Sequence, residues 1–251
     1  MIPLGVEGVR KKPYVTWMLV ITNTAVFFLL FLSEALPSAI ALYGLTPLKL
    51  IKGKGLYTLI TSLFLHADIL HLASNMIYLY VFGGAVEARL GSKYFLLFYL
   101  LCGIDASLIH TCIELVVGHP LNIPCIGASG AISGVLGAYL VLFPGSFVNI
   151  MTLTLLGLPL IIPVPAFLFL AIWFIYQLWM GMISLSLPYF IGVAFWAHIG
   201  GFLSGMIAAL PLRRKRYVVR YGKVWYEVPV RFNTGSLAVK VWRSGFGEAS
   251  M

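Results

Sequence analysis

Long apolar runs, separated by short polar or glycine-containing stretches, extend from about residue 14 to residue 211. Several runs approach the roughly 20 residues that a helix needs to cross a bilayer. The pattern predicts six such helices, at 14–34, 69–88, 94–116, 127–143, 164–183 and 193–211. We therefore expect an all-α membrane protein with a six-transmembrane-helix domain at 14–211, a short N-terminal segment at 1–13 and a polar tail at 212–251.

Two further apolar segments lie between the predicted helices. The first loop, at 35–65, is rich in leucine and isoleucine, and we expect it to lie partly in the membrane interface. Residues 147–163 are broken by Gly157, Pro159 and Pro163, so they should approach the fifth helix in an extended form.

The tail allows two interpretations. Residues 217–232 alternate in places between apolar and polar side chains, which would suit a hairpin around 221–223. The preferred interpretation is a basic, aromatic tail that rests on the cytoplasmic leaflet.

Composition supports the membrane assignment. The 251 residues are 61% hydrophobic and 10% charged, whereas a soluble domain has roughly 25% charged residues. A net charge of +9 could indicate nucleic-acid binding, but the basic residues flank apolar runs and nine of them follow residue 212. By the positive-inside rule we expect a multi-pass membrane protein with both termini cytoplasmic, in contact with lipid rather than nucleic acid. If the source is prokaryotic, the expected location is the plasma membrane.

The predicted topology places the starts of the second, fourth and sixth helices on the same, outer side of the membrane. The second helix begins with Asp68, a suitable N-cap, followed by His71 and Asn75 four residues apart on one face. The fourth helix begins near Ser129, and the sixth carries His198 near its start. An imidazole, an amide and a hydroxyl are thus expected at similar depth.

Small residues allow these helices to approach closely. The fourth helix has one face of glycine and serine that includes Ser129, Gly134 and Gly137, and the sixth has Gly201 and Gly205 on the face of His198. Such faces let membrane helices pack backbone to backbone. Close packing would bring His198 to Ser129.

These residue types suit acyl transfer. A serine hydroxyl needs a base, which a neutral imidazole provides near pH 7, so Ser129 is the candidate nucleophile and His198 the candidate base. Asn75, His71 and the backbone N–H of Ser129 are candidate donors to the oxyanion. No acidic third member is evident, which predicts a dyad. The same residues could instead be structural or line the cavity of a transporter, and the residues alone leave both open.

At these positions the sequence resembles the rhomboid family of intramembrane serine proteases. The match consists of several motifs in the family's order over about residues 14–211. They are His66-x4-His71-x3-Asn75, then Gly83, Glu87 and Gly91, then Gly127-Ala-Ser129-Gly130, and finally Ala197-His198-x-x-Gly201-x-x-x-Gly205.

The resemblance implies cleavage of single-span membrane proteins in or near the transmembrane segment. It implies a Ser129–His198 dyad, an oxyanion site at His71, Asn75 and the Ser129 backbone, and neither cofactor nor metal. Two positions depart from the family: Tyr57-Thr58 stands where many members have Trp-Arg, and Ser133 stands where some have an aromatic residue beneath the histidine ring. A non-catalytic relative that only binds transmembrane segments is the alternative, although such a protein would be expected to lack the serine or histidine.

Overall fold

A computed structural model describes residues 2–6, 12–153, 158–187, 192–213, 216–221, 224–229 and 240–241. The chain forms two compact units, Met1–Leu210 and Pro211–Met251.

The first unit is mostly helical, as predicted. Its helices are α1 (Tyr14–Leu32), α2 (Leu36–Tyr43), α3 (Pro47–Ile51), α4 (Thr58–Thr61), α5 (Ile69–Tyr78), α6 (Gly84–Leu90), α7 (Ser92–Val117), α8 (Ser129–Leu142), α9 (Ala166–Leu185) and α10 (Phe195–Ala209). A π-helical turn at Leu79–Gly83 joins α5 and α6, so the predicted second helix is one segment, Ile69–Leu90.

Five helical segments of the described chain are long and apolar enough to cross a membrane. They are Tyr14–Leu32, Ile69–Leu90, Ser92–Val117, Ala166–Leu185 and Phe195–Leu212. The predicted fourth span, α8, has 14 residues. Such a helix is about 21 Å long, shorter than the roughly 30 Å hydrocarbon core. Every residue from 130 to 139 is buried, so α8 is the centre of the bundle rather than a lipid-facing span. The chain is an integral membrane protein by these criteria, and in its described part five of the six predicted spans are long enough to cross a bilayer.

The first unit also contains a small sheet. β1 (Ile2–Val6), β2 (Phe147–Leu153) and β3 (Pro159–Pro165) pair antiparallel in the order β1-β2-β3. The extended form expected for the segment before the fifth helix is therefore present in β2 and β3. The N-terminal strand β1 was not predicted.

Prolines end the sheet at β3. Pro159, Pro163 and Pro165 are separated by even numbers of residues in this edge strand, so their nitrogen atoms face the same side. Proline has no N–H to donate to a ladder, so these positions suit the side of β3 that faces away from β2. The arrangement leaves few donors for a further strand, which protects the edge.

In the first loop, α2, α3 and α4 pack beside the segment that joins α7 to α8. A bridge joins Leu45 to Cys125, and the N–H of Leu48 donates to the carbonyl of Leu121 at 2.8 Å. Leu56 and Tyr57 are exposed, and contact of this loop with the membrane interface stays a prediction.

Glu87 ties three helices together at the opposite end. Its carboxylate accepts from the N–H and hydroxyl of Thr16, both at 2.8 Å, and from the N–H of Val15 at 3.0 Å. It also accepts from the Ser92 hydroxyl at 2.6 Å. Because α1 has no side-chain cap of its own, this carboxylate satisfies its orphan N–H groups.

The second unit contains β4 (Arg216–Tyr221), β5 (Val224–Pro229) and β6 (Lys240–Val241). β4 and β5 pair antiparallel, which agrees with the hairpin interpretation of the tail. Contact of the tail with the cytoplasmic leaflet stays a prediction. The turn itself, 222–223, lies outside the described residues.

Candidate active site

The predicted site residues line one cavity of about 910 Å³. His71 and Asn75 enter it from α5, Ser129 from the first residue of α8, and His198 from α10. The sequence-based expectation that these helix starts meet therefore agrees with their positions.

Backbone packing sets the distance between α8 and α10. A Cβ at Gly201 would collide with the carbonyl of Gly130, and one at Gly205 with the carbonyl of Gly134. A Cβ at Gly137 would collide with the carbonyl of Phe202. These glycines let the two backbones touch, as the small-residue pattern predicted.

Ser129 follows a turn that only glycine adopts readily. Gly127 has φ of +121°, and a Cβ there would lie 2.8 Å from Nε2 of His71. The N–H of Gly127 donates to the carbonyl of Ser62 at 2.9 Å, which anchors the turn. The chain thus enters α8 with the Ser129 hydroxyl in the cavity and its N–H among the unpaired donors of a helix start.

The imidazole of His198 lies between two polar partners. Its Nε2 is 2.8 Å from Oγ of Ser129, and its Nδ1 is 2.9 Å from Oε1 of Gln177 on α9. The ring of Trp173, also on α9, lies 6.2 Å from the imidazole, centroid to centroid. The histidine is therefore held on both nitrogens, with Nε2 directed to the serine.

His71 and Asn75 form the other side of the cavity. Asp68 caps α5 as predicted, since its carboxylate accepts from the N–H of His71 at 2.8 Å. Nδ1 of His71 accepts from the N–H of Ala67 at 3.4 Å, which leaves Nε2 to carry the hydrogen beside Gly127. Asn75 donates one amide hydrogen to the carbonyl of His71 at 2.8 Å, so its second hydrogen remains for a ligand.

His66 lies behind this pair and is fully buried. Its ring stands edge-on to His71 at 5.1 Å. Burial, and secondarily the neighbouring His71, lowers the pKa of His66 to about 3, against a smaller opposing effect of Asp68. His66 is thus a neutral packing partner for His71 at physiological pH.

Gln177 was not among the predicted site residues. One signal could have found it: Gln177 is the one amide or charged side chain in the apolar segment 166–185. Ser133, where some rhomboids have an aromatic residue, donates to the carbonyl of Ser129 at 2.7 Å. Contacts from α9 therefore hold His198 where an aromatic residue on α8 is lacking.

Other ionisable residues have structural contacts. Glu114 near the end of α7 pairs with His119 at 2.9 Å and with His110 at 3.5 Å. These contacts tie the end of α7 to the following loop, which is a structural role. Within the described part of the chain, no cluster of three or more histidine, cysteine or acidic residues has a metal-binding arrangement.

Comparison with known proteins identifies the family. The Rhomboid domain model matches residues 53–215, more than half of the chain. Rhomboid protease GluP of Bacillus subtilis is 38% identical over 131 residues, covering 51% of this chain and 24% of that protein. The mitochondrial RHOMBOID-like protein 12 of Arabidopsis thaliana is 36% identical over 129 residues, covering 47% and 36%.

The mitochondrial Rhomboid protein 1 of Saccharomyces cerevisiae is 36% identical over 87 residues, covering 35% of this chain and 25% of that protein. The chain thus spans well under half the length of these relatives. The matched residues include the helices that carry Ser129 and His198. On the strength of the domain match, the chain belongs to the rhomboid family.

Proposed function

We propose that this protein is an intramembrane serine endopeptidase that hydrolyses peptide bonds in or near the transmembrane segments of other membrane proteins. The observation that carries the proposal is the 2.8 Å contact between Oγ of Ser129 and Nε2 of His198. That distance is a good hydrogen bond and allows direct proton transfer.

In the first step, Oγ of Ser129 attacks the carbonyl carbon while its proton passes to Nε2 of His198. The carbonyl oxygen becomes an oxyanion, for which the Ser129 N–H, the Nε2–H of His71 and the free amide hydrogen of Asn75 are the proposed donors. His198 then gives its proton to the leaving amine as the C–N bond breaks, which leaves an acyl ester on Ser129.

In the second step, water attacks the ester. His198 takes a proton from the water as the new C–O bond forms, and returns it to Oγ of Ser129 when the ester bond breaks. The cavity is open and partly polar, which gives water a route to a site otherwise surrounded by apolar helices.

The walls of the cavity fit an apolar peptide. Ile40, Ile126, Trp173 and Val193 line it together with the polar residues of the site. A scissile carbonyl must leave helical hydrogen bonding to reach Ser129. A locally extended part of a single-span membrane protein is therefore the proposed substrate, and the bilayer is its surrounding.

For the location we propose the plasma membrane with both termini cytoplasmic. The basic residues that flank the apolar runs support this orientation. The mitochondrial relatives make an organellar membrane the other outcome, which localisation of a tagged full-length chain would distinguish.

Cleavage of a single-span substrate by the purified full chain in detergent tests the proposal. Wild type should cut, while Ser129→Ala and His198→Ala should lose about 10³-fold or more of the activity, because both groups act as one unit. Ser38→Ala, which changes an exposed serine, is the matched control.

Cleavage by both active-site variants at the wild-type rate would refute the dyad. A folded wild type that neither cuts varied substrates nor reacts at Ser129 with a serine-directed phosphonate would instead favour the non-catalytic binding protein.

A further inference from the structure

The helix α9 carries one buried amide side chain, that of Gln177. Gln177 is 5% exposed, although α9 is otherwise one of the most apolar helices of the chain. Burying an amide without hydrogen bonds is unfavourable, because its polar atoms lose their bonds to water. Its side-chain oxygen makes one contact that matters chemically, at 2.9 Å to Nδ1 of His198.

This contact determines which nitrogen of His198 carries the hydrogen. An amide oxygen only accepts, so Nδ1–H of His198 donates to Gln177. Nε2 is then left with its lone pair, which accepts from the Ser129 hydroxyl at 2.8 Å. A neutral imidazole with the hydrogen on Nε2 could not take the serine proton.

We propose that Gln177 is a positioning residue for the candidate base: it holds His198 in the Nδ1–H tautomer and in the orientation that presents Nε2 to Ser129. The inference rests on the proposed protease function and adds a neutral third member to the predicted dyad. A carboxylate in this place would stabilise the imidazolium ion more strongly, because the amide carries no net charge.

The rest of the environment is consistent with this role. Trp173, one turn before Gln177 on the same helix, contacts the imidazole ring. Among the residues that the structure describes, the titratable side chains whose charge acts on His198 are His71 and His110, and neither is an acid that could replace Gln177. Orientation of His198 thus depends on α9.

Two variants test the role. Gln177→Met keeps the length of the side chain but removes the acceptor, and Gln177→Glu keeps an acceptor at the same distance. We expect kcat for a single-span substrate to fall about 10- to 100-fold in Gln177→Met, with KM changed less than about twofold. This loss reaches only the lower limit of what general-base catalysis contributes, because the base itself is still present. Gln177→Glu should recover most of the activity. Ser184→Ala, two turns further along α9, removes a hydroxyl that bonds only its own helix and should have no effect.

A spectroscopic measurement separates positioning from a packing defect. The ¹⁵N shifts of labelled histidine side chains distinguish the two tautomers, and the His198 signal is assigned by its loss in His198→Gln. Wild type and Gln177→Glu should show hydrogen on Nδ1, while Gln177→Met should move toward the Nε2–H form.

The inference is overturned if Gln177→Met cleaves within about twofold of wild type. It is also overturned if that variant loses activity while His198 stays in the Nδ1–H form. These outcomes are separate from failure of the proposed function, in which wild type itself does not cut and Ser129 does not react with a phosphonate. If Gln177→Met does not fold, the tautomer of His198 is measured in Gln177→Ala instead. A shift toward the Nε2–H form supports the inference, and an unchanged Nδ1–H form overturns it.

Discussion

The two sides of α10 are held in different ways. Toward α8, glycines place backbone against backbone, and a Cβ at Gly201 or Gly205 has no room. Toward α9 the contact is through side chains: Phe174 stacks on Phe202 at 4.6 Å, and Gln177 bonds His198. The distance between serine and histidine is therefore set by rigid backbone packing. The direction of the imidazole depends on a helix that buries few of its own residues.

The largest expected effect comes from disrupting the backbone packing between α8 and α10. Gly205→Val would drive a branched side chain into the backbone of Gly134, so α8 and α10 would have to separate. Overpacking usually costs about 1–3 kcal/mol, and a collision with backbone should exceed that range. We expect loss of the folded protein, measured as the melting temperature in detergent and the yield of monodisperse protein.

Gly145→Ala is the control for that experiment, because nothing lies within 4 Å of a Cβ at this position. A stable and active Gly205→Val protein would show that the close approach of the helices does not determine the site.

A smaller effect is expected from disrupting the side-chain contacts between α9 and α10. Trp173→Leu removes the ring that contacts His198 and lines the cavity. Because α9 packs loosely, the melting temperature should change little, while kcat should fall about tenfold as the imidazole gains rotational freedom. Cleavage kinetics and thermal unfolding of one preparation give both values.

Trp179→Leu changes a residue that is 69% exposed on the same helix and should keep wild-type kinetics. If Trp173→Leu lowered the melting temperature substantially together with kcat, α9 would be packed against α10 as rigidly as α8 is.

The smallest expected effect concerns the pH dependence of stability. His66, three residues before α5, is a fully buried side chain. Burial lowers the pKa of His66 from 6.5 to about 3. The unfolded chain therefore binds a proton that the folded protein does not, and stability falls as the pH drops below about 6.5. The slope is at most about 1.4 kcal/mol per pH unit.

His66→Leu should remove the part of this slope that His66 contributes, so the variant should depend less on pH than the wild type. Melting temperatures of wild type and variant between pH 8 and pH 5 measure it, and the wild type should lose more stability below pH 6. Identical pH dependence in the two proteins would show that His66 is hydrated or protonated in the fold.

The helices were predictable because their signal is local. The apolar run at 69–88 became Ile69–Leu90 and the run at 164–183 became Ala166–Leu185. The bilayer demands a continuous apolar stretch, which any window of sequence reveals. The glycine-rich faces of the fourth and sixth helices were also predictable. The helical period alone shows which residues share a face, whatever the neighbouring helix is.

The features that were missed depend on distant partners. β1 pairs with β2, which lies about 145 residues further along the chain, and five residues carry too little alternation to reveal a strand. The hairpin of the tail was ranked second because its strands have weak patterns. The shortness of α8 could not be inferred either, since a central helix surrounded by protein need not match the bilayer.

The sequence by itself therefore determined the membrane class, the order of the helices and the placement of Ser129, His71, Asn75 and His198 at helix starts. Hydrophobicity and the helical period depend on residues close together in the sequence, so the sequence shows them directly. Only the tertiary structure decided that Gln177 meets His198, 21 positions away. That contact depends on the rotation of α9 about its axis and on its distance from α10, and packing against other helices sets both.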